Sequence, residues 1–119
     1  MEMSDILEVV KELCLNDYTS LCEAEKSYGD SWKKRGGLGA FMMLARKWDR
    51  IENLSKQHSY DIFQAIQEFP DLTGVIDDIR DLRRYLLLVE AEMVQMGHIL
   101  PEPFIKEESD AATIVPAKK

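Results

Sequence analysis

The sequence predicts an all-α protein, a single-domain bundle of three long helices and one short helix followed by a C-terminal tail. Apolar residues recur at spacings of three and four over most of residues 4–96, and no segment shows the alternation of a β-strand. A chain of 119 residues, 45% of them apolar, is long enough to bury a core without disulfides or metals. We place the helical domain at residues 1–100 and an extended or flexible tail at residues 101–119.

The first helix is predicted to run from the N-cap Ser4 to about Tyr28. Asp5 and Glu8 fall in its first turn, where acidic side chains favour the helix dipole. The weak point is Asn16–Asp17, because both side chains can compete for backbone donors and break or re-cap the helix. We therefore expect one helix with a candidate break at its middle.

A glycine-rich segment separates the first helix from the second. Residues 28–39 include three glycines within four positions and show no strand alternation, so we predict a loop. From Ala40 the apolar spacing is again helical, and it ends near Lys56. The second helix is therefore predicted to start after the glycines.

The last two helices carry clear start and stop signals. Asp61 is a predicted N-cap for a short third helix, Gln64 stands in the reciprocal capping position, and Pro70 ends that helix. A long fourth helix is predicted over residues 75–96, with Gly97 as its left-handed stop. Its segment Leu-Leu-Leu-Val is apolar on more than one face, which predicts a central helix or a subunit interface, and hence a homo-oligomer.

Several classes of protein are excluded by composition. No apolar run approaches the ~20 residues that span a bilayer, so we expect no membrane insertion. Acidic residues interrupt the apolar pattern of the N-terminal segment, and leader peptides do not tolerate acidic residues there. The sequence therefore predicts a cytoplasmic protein. Cys14 and Cys22 lie eight residues apart on one helix, cannot pair there, and are interpreted as buried free thiols.

The charge distribution points to a small anionic ligand. The net charge is −7, which argues against long nucleic acids as partners. Between Lys26 and Lys56, however, eight basic residues face only three acidic ones. Such a basic island in an acidic chain suggests a compact phosphate site, although a solvated basic face is the alternative.

The glycine-rich loop is the strongest candidate for binding phosphate. Its glycines allow backbone amides to approach a ligand, and Lys33, Lys34 and Arg35 add positive charge. Tyr28 and Trp32 are placed to stack a base, or alternatively to plug the core. Neither a Walker loop nor a Rossmann fingerprint is present.

A second candidate site combines two helices. Lys47 and Arg50 share one face of the second helix, and Asp78 and Asp81 share one face of the fourth. The four side chains are expected to meet. They form either interhelix ion pairs or a site in which the bases hold phosphate and the carboxylates hold a sugar hydroxyl or Mg²⁺. A further alternative is that the acids of the fourth helix pair on its surface with its own arginines, Asp77 and Asp81 with Arg80, Arg83 and Arg84.

Four carboxylates suggest a metal-dependent alternative. Asp49 and Glu52 form one acidic pair three residues apart, and Asp78 and Asp81 form another on a later helix. This pattern resembles the E-x-x-E then E-x-x-D signature of the MazG-like all-α nucleotide pyrophosphohydrolases. That resemblance implies Mg²⁺-dependent hydrolysis, but Asp49 and Asp78 replace glutamates and shorten the reach to a metal.

Three short motifs follow one another along the chain: Y-G-D-S-W from Tyr28, K-W-D-R-I from Lys47 and D-I-R-D-L-R-R-Y from Asp78. Their order resembles that of the nucleotide-modification-associated helical domain of phages and bacteria, over about residues 20–95. The resemblance implies a nucleotide ligand in phage nucleotide or DNA-base metabolism, without a defined reaction. The positions that it implies are Tyr28, Gly29, Asp30, Trp32, Lys47, Arg50, Asp78, Asp81 and Tyr85.

The full predicted ligand set adds loop residues that are more basic and glycine-rich than the pattern of that family: Lys33, Arg35, Gly36 and Gly37. The leading hypothesis is a phage-type helical protein that binds a nucleotide or nucleotide-like phosphate, for metabolism or to sequester a nucleotide signal. One alternative is the Mg²⁺-dependent pyrophosphohydrolase. The other is a non-catalytic protein–protein interaction module.

Overall fold

A computed structural model of the chain describes residues 5–68, 74–97 and 99, and the backbone of residues 104–105 and 114–115. It confirms an all-α domain whose described helices are α1 (Asp5–Tyr28), α2 (Gly36–Lys56), α3 (Ile62–Glu68) and α4 (Val75–Gln95). The predicted Ser4 cap and the Pro70 stop lie outside the described residues. None of the described helices combines the length and the apolar character needed to cross a bilayer.

α1 continues without interruption through the predicted weak point at Asn16–Asp17. The Asp17 carboxylate does not compete for backbone donors, because it accepts hydrogen bonds from the side chains of Arg83 and Arg84 on α4. Both cysteines are free, as expected, but Cys14 is exposed and Cys22 is half-buried. The expectation of two buried thiols was wrong, because much of the apolar surface of α1 is exposed in the single chain.

The prediction of a loop over residues 28–39 was wrong from Gly36 onward, where the second helix has already begun. A short 3₁₀ helix spans Ser31–Lys33, and α2 begins at Gly36, four residues before the predicted start. Gly36 enters the helix with φ of +72°, a conformation that glycine adopts without strain. A Cβ on Gly39 would lie 2.8 Å from the Cβ of Arg35, so glycine permits the tight first turn of the helix.

α3 is capped as predicted by Asp61, whose Oδ1 accepts hydrogen bonds from the backbone N–H groups of Phe63 (3.1 Å) and Gln64 (3.2 Å). The prediction of a reciprocal hydrogen bond between the Gln64 side chain and the backbone N–H of Asp61 was wrong. The backbone N–H of Asp61 instead donates to the carbonyl of His58, at 3.0 Å. α4 ends as predicted, with Gly97 at a φ of +80°.

The chain divides into two compact units, Met1–Tyr85 and Leu86–Lys119. In the first, the buried apolar side chains of the described residues come from three helices and are Ala40, Ile51, Ala65 and Val75. The second holds the C-terminal part of α4 and an antiparallel pair of two-residue strands, β1 (Phe104–Ile105) and β2 (Ile114–Val115). Both strands fall within residues 101–119, for which the sequence predicts an extended or flexible tail.

Candidate functional site

The four charged residues that the sequence predicts to meet do so between α2 and α4. The Nζ of Lys47 lies 2.9 Å from Oδ2 of Asp81 and 3.8 Å from Oδ1 of Asp78. The Nε of Arg50 lies 3.2 Å from both carboxylate oxygens of Asp78. These contacts tie the two helices together and are the interhelix ion pairs of the sequence-based alternative.

Arg50 and its carboxylate partner Asp78 differ greatly in solvent exposure. Asp78 is 1% exposed, whereas the side chain of Arg50 is 54% exposed. A buried carboxylate is costly unless it is paired, so Asp78 holds the guanidinium of Arg50 firmly through Nε. The terminal NH₂ groups of Arg50 are the donors left to meet a ligand.

Arg50 borders an open groove of about 970 Å³ along α2. Two further arginines, Arg35 and Arg46, line the same groove, and Asp49 is the single acidic side chain in its lining. The remaining lining residues are Leu38, Gly39, Met42, Met43, Ala45 and Asn53. The lining of the groove therefore combines an excess of guanidinium groups with apolar side chains, which suits an anion that carries an apolar or aromatic part.

The start of α2 adds backbone donors near one end of this groove. Arg35 stands in the N-cap position, and no side chain caps the helix there. The N–H groups of the first turn have no partner within the helix, and the helix dipole favours negative charge at this end. The glycines at Gly36 and Gly37 leave this backbone uncovered by side chains.

Only part of the predicted ligand set lies at the groove. Arg35 and Arg50 line it, while Lys47 is engaged by Asp81 on the α4 side. Gly36 and Gly37 lie in the first turn of α2. Like Lys47, Gly36 and Gly37, the other predicted residues lie outside the lining, and they are Tyr28, Gly29, Asp30, Trp32, Lys33 and Tyr85.

Tyr28 and Trp32, predicted to stack a base, are the exposed last residue of α1 and a half-buried residue of the 3₁₀ helix. Arg46 was missed as a site residue. The signal was present, because Arg46 follows Arg35 by eleven residues, a spacing that repeats after three helical turns.

The proposed magnesium ligands do not gather. Within residues 5–68 and 74–97, no three His, Cys, Asp or Glu side chains form a group that could hold a metal ion. Asp49 borders the groove and Glu52 is exposed on α2, whereas Asp78 and Asp81 are occupied by Lys47 and Arg50.

A second cluster was not foreseen from the sequence. Asp17 on α1 is 2% exposed and accepts two hydrogen bonds from Arg83, at 2.5 and 2.7 Å, and one from Arg84, at 2.9 Å. The hydrogen bond from Arg83 chiefly lowers the pKa of Asp17, against the effect of burial, and the same contact raises the pKa of Arg83. An acidic residue on the apolar face of α1 was the available signal, but its partners lie 66 and 67 residues away.

Comparison of the chain with protein-family models, with curated proteins and with solved structures found no match.

Proposed function

We propose that this protein binds a small phosphate-bearing ligand of the nucleotide class in the α2 groove. The observation that carries the proposal is the placement of Arg50, which the buried Asp78 holds through Nε while the rest of the guanidinium stays accessible beside Arg35 and Arg46. Preorganised guanidinium groups are well suited to phosphate oxygens, because each offers paired donors in a fixed plane.

The nucleotide class is supported by two further features. The apolar lining of the groove, which includes Met42 and Met43, suits a base or another flat apolar group beside a phosphate. The motif order from Tyr28 to Tyr85 resembles that of the nucleotide-modification-associated domain. We propose a role in phage or bacterial nucleotide metabolism, or in sequestering a nucleotide signal; the proposal is limited to binding, with or without Mg²⁺.

Calorimetric titration of the full chain tests this proposal. The ligands are inorganic phosphate, pyrophosphate, nucleoside mono-, di- and triphosphates, cyclic dinucleotides and a nucleoside without phosphate, each with and without Mg²⁺. We expect a phosphate-dependent affinity, because charge-assisted hydrogen bonds to arginine carry the interaction. Pyrophosphate or orthophosphate release during the titration would move the conclusion to the hydrolase alternative.

Arg46→Gln and Lys56→Gln make a matched pair of variants. Each removes one positive charge from an exposed residue of α2, but only Arg46 lines the groove. Arg46→Gln is expected to weaken binding about tenfold, the effect of losing one charged hydrogen bond, and Lys56→Gln by less than about twofold. Equal losses in the two variants, or no binding to the wild-type chain, would contradict a site in the groove.

A further inference from the structure

α2 carries a second apolar stripe on the side that the core does not use. Its members, which we call the outer stripe, follow one another at spacings of three, four and three residues and are Leu38, Phe41, Ala45 and Trp48. Leu38 is 76% exposed, Phe41 60% and Trp48 54%. Two of the three buried residues of the same helix, Ala40 and Ile51, lie on a different face, and the third, Ser55, lies two turns beyond Trp48.

A helix that is apolar on two faces is normally covered on both. The three-four-three spacing of the outer stripe is that of a seam between two long helices, where side chains interlock along nearly straight axes. Three large apolar side chains in one continuous row also exceed the scattered exposure that is normal for a protein surface. The outer stripe therefore requires an occupant.

We propose that the occupant is a second copy of this chain, with the two α2 helices antiparallel about a twofold axis near residue 43. In this register Leu38 faces Trp48 of the second copy, and Phe41 faces Ala45. Large side chains then meet a large and a small partner in turn, and each contact occurs twice, as a self-complementary interface requires.

Charge complementarity selects the antiparallel arrangement. Arg35 and Asp49 flank the outer stripe on the same side and lie fourteen residues apart, about 21 Å along a helix at ~1.5 Å per residue, too far to pair within one chain. In the antiparallel dimer Arg35 meets Asp49 of the second copy, and the symmetric contact repeats the pair. A parallel dimer would keep Arg35 and Asp49 of the two copies about 21 Å apart along the helix axes, at ~1.5 Å per residue, so the pair could not form.

The dimer and the proposed ligand site are separable. Arg35, Leu38, Met42, Ala45 and Asp49 border both the outer stripe and the groove, so a second copy would form a wall of the groove. Arg35 would then pair with Asp49 of the second copy, and Arg46 and Arg50 would be the guanidinium groups that the groove offers to a ligand. Arg46, which carries the test of ligand binding, points about a third of a turn away from the outer stripe at ~100° per residue. The oligomeric state is therefore measured without any phosphate ligand, and its failure leaves the binding proposal untouched.

A charge exchange tests the dimer directly. The variants are Arg35→Glu, Asp49→Arg and the double variant, with Arg46→Glu as a control that makes the same charge change off the stripe. Sedimentation velocity of the full chain gives the dimer dissociation constant over a range of concentrations. Circular dichroism of each variant verifies that it remains helical.

We expect the wild-type chain to be a dimer and each single exchange to raise the dissociation constant about tenfold or more, because like charges then face each other twice. The double variant restores the opposite charges and is expected to return to within about threefold of wild type, as is Arg46→Glu. Leu38→Glu, which inserts a charge into the seam, is expected to yield monomers. A monomeric wild type, a double variant no better than the singles, or an intact Leu38→Glu dimer would each overturn the proposal.

Discussion

Asp17 shows how a single buried carboxylate organises two helices. It lies at the middle of α1, and its oxygens bind Arg83 and Arg84 of α4. Its removal would leave two partly buried guanidinium groups without their acceptor, which is the costly way to break an ion pair. The cluster therefore matters more to stability than an exposed pair of the same residues would.

We expect Asp17→Asn to lower the free energy of unfolding by about 3 kcal/mol at pH 7. The measurement is urea denaturation followed by circular dichroism. Glu12→Gln is the matched control, because Glu12 is an exposed acid on the same helix, and its change is expected to stay within about 0.5 kcal/mol. A loss of similar size in both variants would show that general charge, not the Asp17 contacts, stabilises α1.

The same residue predicts a pH dependence. Because the folded pKa of Asp17 is lowered, chiefly by the hydrogen bond from Arg83, its contribution to stability is complete above the unfolded pKa of about 3.9. The contribution is lost as the pH falls through the lower folded value. The stability advantage of wild type over Asp17→Asn is therefore expected to shrink between pH 5 and pH 2, and an advantage unchanged over that range would refute this reasoning.

At the scale of elements, the first turn of α2 depends on one glycine more than on its neighbours. A Cβ at Gly39 would lie 2.8 Å from the Cβ of Arg35, whereas a Cβ at Gly37 would meet nothing within 4 Å. The two glycines therefore occupy the same turn for different reasons. Only Gly39 is required by a close contact.

Gly39→Ala and Gly37→Ala are expected to change stability in opposite directions. The first forces the backbone at Arg35 to move. The overpacking is expected to lower the free energy of unfolding by about 1–3 kcal/mol, and the melting temperature with it. The second replaces a poor helix former by a good one in open space and is expected to stabilise the protein by up to about 1 kcal/mol. Differential scanning calorimetry distinguishes them; two destabilised variants would mean that the turn needs glycine at both positions.

The elements also show which structural signals are local. The Asp61 cap and the Gly97 stop were predictable because each satisfies backbone groups within its own turn. The contact of Lys47 with Asp81 was predictable from the shared face of each pair of charges. The start of α2 was not, because glycines that favour a loop by composition here relieve a contact that only the folded turn creates.

The contacts of Asp17 lay beyond sequence reasoning for a different reason. Spacing along the chain shows which face of α1 the residue occupies, but not which residue of another helix faces it. The groove illustrates the same limit: Arg35 and Arg50 were selected for their charge, while Arg46 was recognised only when the helix placed all three together. To predict a site whose side chains share one face of a helix, the bounds of that helix must therefore be known first.

On the scale of the whole molecule, few apolar side chains of the described residues are fully buried, although the chain is 45% apolar. The buried apolar residues of the described chain are Ala40, Ile51, Ala65 and Val75, two of them alanines. Small domains are stable only when burial offsets the conformational entropy of the chain. The dimer proposed above would supply additional burial through the outer stripe of α2.

Dimerisation through the outer stripe predicts that the melting temperature depends on protein concentration. Because unfolding then separates two chains, a hundredfold increase in concentration adds about 2.7 kcal/mol to the free energy of unfolding of each dimer. Half of this falls to each chain, and for a chain of this size it raises the melting temperature by about 5 °C. Differential scanning fluorimetry over two decades of concentration measures the effect. Leu38→Glu is expected to melt at a lower temperature that no longer changes with concentration, because its seam cannot form; a concentration dependence that survives in this variant would place the stabilising interface on another surface.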